Sequence, residues 1–137
     1  MAVLLNPYLG FRDNAREALE FYHEVFGGDL EISTYGSMGH GGAEDGEKVM
    51  HGMIRSEGVA LMASDTPSEA HHTPGSSISI SLSGDANDDA TLRGYWDALA
   101  GSGQVLLPLN VAPWGDAFGM CIDKFGISWM VNIAGQG

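Results

Sequence analysis

Apolar residues along this chain recur with two different periods. Ala15, Ala18, Leu19, Tyr22 and Phe26 fall near every third or fourth position, the spacing of one helix face, and Gly27-Gly28 ends the run. Asn14 in front of it is a good N-cap residue, and Glu17 stands three positions on, where a capping box places its acid. A second helical stripe, Leu92, Tyr95, Trp96 and Leu99, follows the acidic stretch "DANDD" and stops before Gly101. Acids suit a helix amino terminus, so both stripes predict helices with one buried face.

Between and around the helices the period drops to two, the mark of strands. The strand-like stretches are "AVLLNPYLGF" before the first helix and "DLEISTYG", "KVMHGMIRS" and "VALMASD" after it. "SSISISLSG" precedes the second helix, and "GQVLLPLNV", "DAFGMCI" and "ISWMVNI" follow. The order is β-α-β-β-β, stated twice. Such a repeat predicts two similar modules, about 1–68 and about 76–137, joined in a single domain over 1–137 and packed around a shared cleft.

The last strand is unusual in what it alternates. Ile127, Trp129, Val131 and Ile133 form a face made for burial, while Ser128, Met130 and Asn132 are neither charged enough for water nor bulky enough for a second core. The last strand of the first module repeats the theme as Ala60-x-Met62-x-Ser64. A two-residue turn at Glu57-Gly58 would pair Ser56 with Val59, Met53 with Met62 and His51 with Ser64, which adds His51 and Met53 to the face of Met62. A turn longer by one residue would reverse that assignment.

At 137 residues with 44% hydrophobic positions, the chain has enough apolar material for one core. Eighteen acidic against six basic residues leave a net charge of −12, which repels nucleic acid and anionic lipid and points to a small-molecule or protein partner. The amino terminus lacks a basic leader, and no apolar run reaches membrane-spanning length, so the expected place is the cytoplasm. The single cysteine, Cys121, reads as a small buried hydrophobe.

The stretches "NPYLGF", "AREALEFYHEVFGG", "MHGMI", "ALMASD" and "DKFGISWMVNI", set on the paired β-α-β-β-β order, resemble the vicinal oxygen chelate superfamily of glyoxalase, bleomycin-resistance and extradiol-dioxygenase proteins, and within it the PhnB-like branch. The resemblance implies an α+β fold in which two modules build a curved, incompletely closed eight-stranded sheet around a cavity, with the helices outside. It also implies a homodimer. The superfamily's metalloenzymes carry one metal ligand on the first strand of each module and a glutamate on the last. Carried over by position, these slots fall at or next to Asn6, at about Ser79, and at Met62 and Met130. Neutral oxygens and thioethers are poor donors for the hard or borderline ions such chemistry uses, so the expectation is no metal and no cofactor.

The resulting candidate ligand-binding set is Tyr8, His51, Met53, Met62, Ser64, Ser79, Trp114, Ser128, Met130 and Asn132. Methionines there can either mould to an apolar ligand or simply fill the core. His51 is the best acid-base candidate, with a structural role equally open. Trp114, among Pro108, Pro113 and Gly115, can stack on a ligand or pack between modules; the Tyr8 hydroxyl can orient a ligand or cap the core. The glycine-rich stretch 36–47 reads as a surface loop able to act as a lid, and His71-His72 as part of a solvated linker. No phosphate-binding GxxxxGK[ST], GxSxG elbow or HExxH pattern is present. Asp65, Asp88, Asp89, Glu17 and Glu20 are expected to be solvated or to cap helices.

Two functions fit. One is a small-molecule binding protein on a chelate-type scaffold that has lost its metal. The other is a lyase, isomerase or dioxygenase-like enzyme that uses His51 as acid-base or holds a metal on other residues.

Overall fold

The structure, a computed structural model, describes residues 5–39, 46–66, 75 and 77–135. The expected linker with His71 and His72, and residues 40–45 of the expected lid, lie outside the described residues. The chain divides into two compact units, Met1–Pro74 and Gly75–Gly137.

The first unit runs β1 (Tyr8–Phe11), α1 (Ala15–Phe26), β2 (Asp29–Thr34), β3 (Val49–Ser56) and β4 (Val59–Asp65). The second runs β5 (Ile80–Gly84), α2 (Asp89–Gly101), β6 (Gln104–Val111), β7 (Ala117–Ile122) and β8 (Ser128–Ile133). The eight strands form two four-stranded sheets of the same topology, β1-β4-β3-β2 and β5-β8-β7-β6. In each, the first strand runs parallel to the last and the other neighbours are antiparallel. This is the α+β fold of two β-α-β-β-β modules that the periodicity predicts. The first strands are shorter than the sequence suggests, so that Asn6 and Ser79 each lie just before a strand and Ser79 is exposed.

Each helix covers one face of its own sheet. α1 buries Ala15, Ala18, Leu19, Tyr22 and Phe26, and the sheet answers with Ile54, Leu61 and Ala63. Closest approach is at Gly52, where an added Cβ would collide with a Leu19 δ-methyl. α2 buries Leu92, Trp96 and Leu99 opposite Ala117, Cys121, Trp129, Val131 and Ile133. Here Gly119 makes room, since an added Cβ would lie 2.9 Å from the Trp96 ring. Tyr95, expected on the buried stripe, is only half-buried. After α1 the chain turns through Gly27 and Gly28; Gly28 needs its glycine because φ is +80° and a side chain would strike the Arg55 carbonyl.

Two details of capping differ from the sequence reading. Asn14 makes no side-chain cap, so the expected box with Glu17 does not form. The cap comes instead from Asp65, which is only 3% exposed. Its Oδ1 accepts the Ala15 N–H at 2.9 Å and its Oδ2 accepts the Val49 N–H at 3.0 Å. Tyr35 donates to the Asp65 backbone carbonyl at 3.0 Å. One buried carboxylate thus ties the helix start to β3 and β4, with its charge set against the positive end of the helix dipole. A true capping box forms where "DANDD" predicts acids at a helix start: Asp85 accepts from Asn87, and Asp88 accepts from the Asp85 N–H.

Asp123 is the second buried carboxylate, also 3% exposed. Its Oδ1 accepts from the Phe125 and Ile127 amides at 2.8 and 3.1 Å, and its Oδ2 from Trp129 Nε1 at 2.8 Å. These bonds fix the turn that launches β8 and orient the largest buried side chain of the second core. Cys121 is fully buried beside it, as expected. Burial, helped by the Asp123 charge, pushes its thiol pKa up to about 11.

Candidate functional site: the helix-free faces of the two sheets

With one face of each sheet given to its helix, the alternate residues lie on the other face, half-buried on the two central strands and mostly exposed on the edge strands. In the first unit the register places Tyr8 beside Met62, Met62 opposite Met53, and Met53 opposite Glu31. The expected short turn forms, and Ser56 pairs with Val59. The ladder runs to Gly52 opposite Ala63, so the next step along it brings His51 toward Ser64, between Gly10 on β1 and Ser33 on β2. Tyr8, 53% exposed, sets its hydroxyl 3.5 Å from His51 Nδ1, with the rings 6.0 Å apart. Arg55 Nη2 donates to the Met53 thioether sulfur at 3.3 Å. Tyr8, His51, Met53, Met62 and Ser64 are therefore brought onto one face, and the register argument expects this of all but Tyr8.

The second unit repeats this arrangement with different polar groups. Met130 lies between Ser81 on β5 and Met120 on β7, and Met120 in turn pairs near Leu107 on β6. The next row is Ser83, Asn132, Phe118 and Asn110. Ser128 stands opposite Ile122. Ser128, Met130 and Asn132 share the helix-free face, which answers why that strand alternates as it does. Ser79 does not join them on the strand. The first-strand residues directly beside Met62 and Met130 are Tyr8 and Ser81.

Sequence reasoning also missed Phe118, Met120 and Asp116. Asp116 closes the end of this face: its Oδ2 accepts the Asn132 side-chain amide and its Oδ1 the Gly135 N–H, each at 3.2 Å. Trp114, 63% exposed, leans on Phe118 with ring centroids 5.9 Å apart at 60°. It stands at the tip of a turn held by Gly115 N–H to the Ala112 carbonyl and Ala112 N–H to the Asp116 carbonyl. The tryptophan is thus at a rim, as its Pro- and Gly-rich surroundings suggest. The glycine-rich stretch is pinned at its ends, where Tyr35 N–H donates to the Lys48 carbonyl and Gly36 N–H to the Gly46 carbonyl.

Beside Met62 stands a phenol and beside Met130 a serine hydroxyl. Thioethers with neutral hydroxyls do not make the oxygen and imidazole donor set that a hard or borderline divalent ion needs. Among the described residues no three His, Cys, Asp or Glu side chains converge.

The model of the family described as 3-demethylubiquinone-9 3-methyltransferase matches residues 4–132. Among solved structures, protein PA1353 from Pseudomonas aeruginosa is 36% identical, with a TM-score of 0.85 over 96% of this chain and 98% of that one. A putative 3-demethylubiquinone-9 3-methyltransferase, PhnB protein, from Bacillus cereus is 26% identical, with a TM-score of 0.74 over 96% and 100% of the two chains. Protein YjdN of Escherichia coli strain K12 is 26% identical over 96% of both chains. A glyoxylase/bleomycin resistance protein/dioxygenase domain from Frankia sp. EAN1pec, at 14% identity and a TM-score of 0.62 over 97% and 92%, shares the fold.

Proposed function

The chain belongs to the PhnB-like family whose model is described as 3-demethylubiquinone-9 3-methyltransferase, within the vicinal oxygen chelate superfamily, and from that membership we propose that it is a metal-independent small-molecule binding protein. The observation that carries this reading is the cross-strand methionine pair on the helix-free face of each unit, Met53 with Met62 and Met120 with Met130. Carried over from the resemblance to the superfamily's metalloenzymes, their glutamate positions fall on two of these four sulfurs, those of Met62 and Met130. Polarizable, unbranched thioethers conform to apolar ligands of varied outline, whereas they are weak donors to the metals of Lewis-acid chemistry. The guanidinium of Arg55 on the Met53 sulfur opposes a cation there too.

The methyl transfer named in the family's description is not part of this reading. β1 passes into α1 through Arg12-Asp13-Asn14, without the glycine-rich turn that nucleotide-type cofactors use between strand and helix. A homodimer is the proposed assembly, supported by the exposed Val105, Leu106, Leu107 and Val111 on the edge strand β6.

One contact favours a second reading: the Tyr8 hydroxyl near His51 Nδ1 would orient the imidazole for proton transfer. Metal analysis of the purified chain, followed by thermal unfolding with Ni²⁺, Zn²⁺, Mn²⁺ or Fe²⁺, tests the main proposal. A native-state ligand at a hundredfold excess over Kd stabilises by about 2.7 kcal/mol. Stoichiometric metal with such a shift overturns metal independence; shifts from organic compounds alone support it. Turnover of a bound compound that disappears in His51→Gln would replace binding with catalysis.

A further inference from the structure

We infer that the Trp114, Phe118, Asp116 and Asn132 corner of the second unit recognises a flat organic cation, an N-alkylated aromatic nitrogen compound in chemical class. The inference rests on the binding-protein reading and names the chemistry of its ligand. The turn at Ala112–Asp116 holds Trp114 out from the sheet, and the tilted contact with Phe118 engages one part of the indole and leaves it 63% exposed. Phe118 pairs with Asn132 across β7 and β8, and Asn132 donates to Asp116, so the two rings and the carboxylate occupy neighbouring positions at one end of this sheet.

Asp116 has capacity left over. Its two bonds, each from a neutral N–H at 3.2 Å, use two of the about four acceptor positions a carboxylate offers. Among the described residues Asp116 has no ion-pair partner. The basic residues of this unit are Arg93, bonded to Asp89, and Lys124, which sits over Phe125. Acceptors for the Asn132 and Gly135 N–H groups could be neutral; a charge here, two positions along the chain from both Trp114 and Phe118, suits a cation. The negative ring faces and the carboxylate attract the same charge. The flat shape follows from the exposed indole, against which a planar ring can stack, and a net charge of −12 on the chain raises the local concentration of cations.

The test is a titration of the full chain with three probes of similar outline: N-methylquinolinium, neutral quinoline in mildly alkaline buffer, and quinoline-2-carboxylate. Indole N–H and methionine methyl NMR signals report binding, at low and at physiological salt. The expected result is that N-methylquinolinium shifts the Trp114 indole and binds at least about tenfold more tightly than quinoline, with a preference that shrinks in salt. Asp116→Asn and Trp114→Leu should each remove that preference. Unchanged Trp129 and Trp96 signals would establish that the variants are folded; if Asp116→Asn is not, Trp114→Leu and the salt dependence decide. Equal or tighter binding of quinoline or of the anion overturns the inference. If those probes still move the methionine methyls, the binding-protein reading stands without the cation. If no probe moves either set of signals, the inference fails; a compound library that also leaves the methionine methyls unmoved removes the binding reading as well.

Discussion

Met120 stands directly opposite Met130 across β7 and β8, in the same place in its sheet that Met53 and Met62 occupy in theirs. The pair is half-buried on the face without a helix. Replacing Met130 or Met62 by leucine keeps the volume and changes the flexibility and polarizability. The expected outcome is a stability loss below about 1.5 kcal/mol in urea denaturation, together with a narrower range of compounds that raise the melting temperature. A loss several times larger would mean that the pair is ordinary core.

Asp65 gives a sharper expectation. Asp65→Ala leaves the buried Ala15 and Val49 amides without acceptors and should cost roughly 2–4 kcal/mol. Asn14→Ala, at a position whose side chain makes no cap bond, should cost within about 0.5 kcal/mol. Equilibrium urea unfolding of both variants checks the contrast; a large effect of Asn14 with a small one of Asp65 would reverse the capping assignment.

Gly52 lies where Leu19 presses on β3. Gly52→Ala should destabilise by about 1–3 kcal/mol through overpacking. Leu19→Ala alone should cost about 2–5 kcal/mol, and the double variant should lose less than the sum, because the new methyl enters space the leucine has left. Strict additivity in a double-mutant cycle would show that the two do not share that space.

Cys121 makes stability depend on pH at the alkaline end. Its folded pKa of about 11 stands above the ordinary 9.0, so the folded state holds the thiol proton after the unfolded chain has released it. That contribution is complete below about 9 and is lost as pH rises through about 11. Wild type should therefore lose stability relative to Cys121→Ala across this window, measured as urea midpoints at a series of pH values. In neutral buffer a thiol reagent should modify Cys121 only as fast as the protein unfolds.

The sequence makes the larger pattern legible because the helices and the outer strands separate apolar from polar residues cleanly. "ISWMVNI" announces its two faces, and so Ser128, Met130 and Asn132 are found. "DAFGMCI" does not, since both alternate sets are apolar: small Ala117, Gly119 and Cys121 on one side, bulky Phe118, Met120 and Ile122 on the other. Bulk suggests the core, yet the small residues face α2, where Trp96 fills the space they leave. Met120 and Phe118 are hidden from periodicity for that reason. Asp65 is hidden for another: its donors belong to residues 15 and 49, and no local pattern reports a cap that comes from so far along the chain. The start of β5 is hidden because "SSISISLSG" alternates without a break while the strand begins only at Ile80.

The distance between Asp65 and Ala15 also bears on how the protein is made. The two are 50 residues apart, so at about 5–20 residues per second α1 leaves the ribosome roughly 3–10 s before the carboxylate that holds its first turn exists. During that interval the nascent helix carries an apolar stripe with no sheet to cover it, a segment that chaperones can engage and that a stalled chain would leave exposed. The turn at Asp123 is built the other way, with its donors at 125, 127 and 129, and it can close almost as soon as it is synthesised. Premature termination within β4 should therefore yield a product that is cleared, not a stable first module.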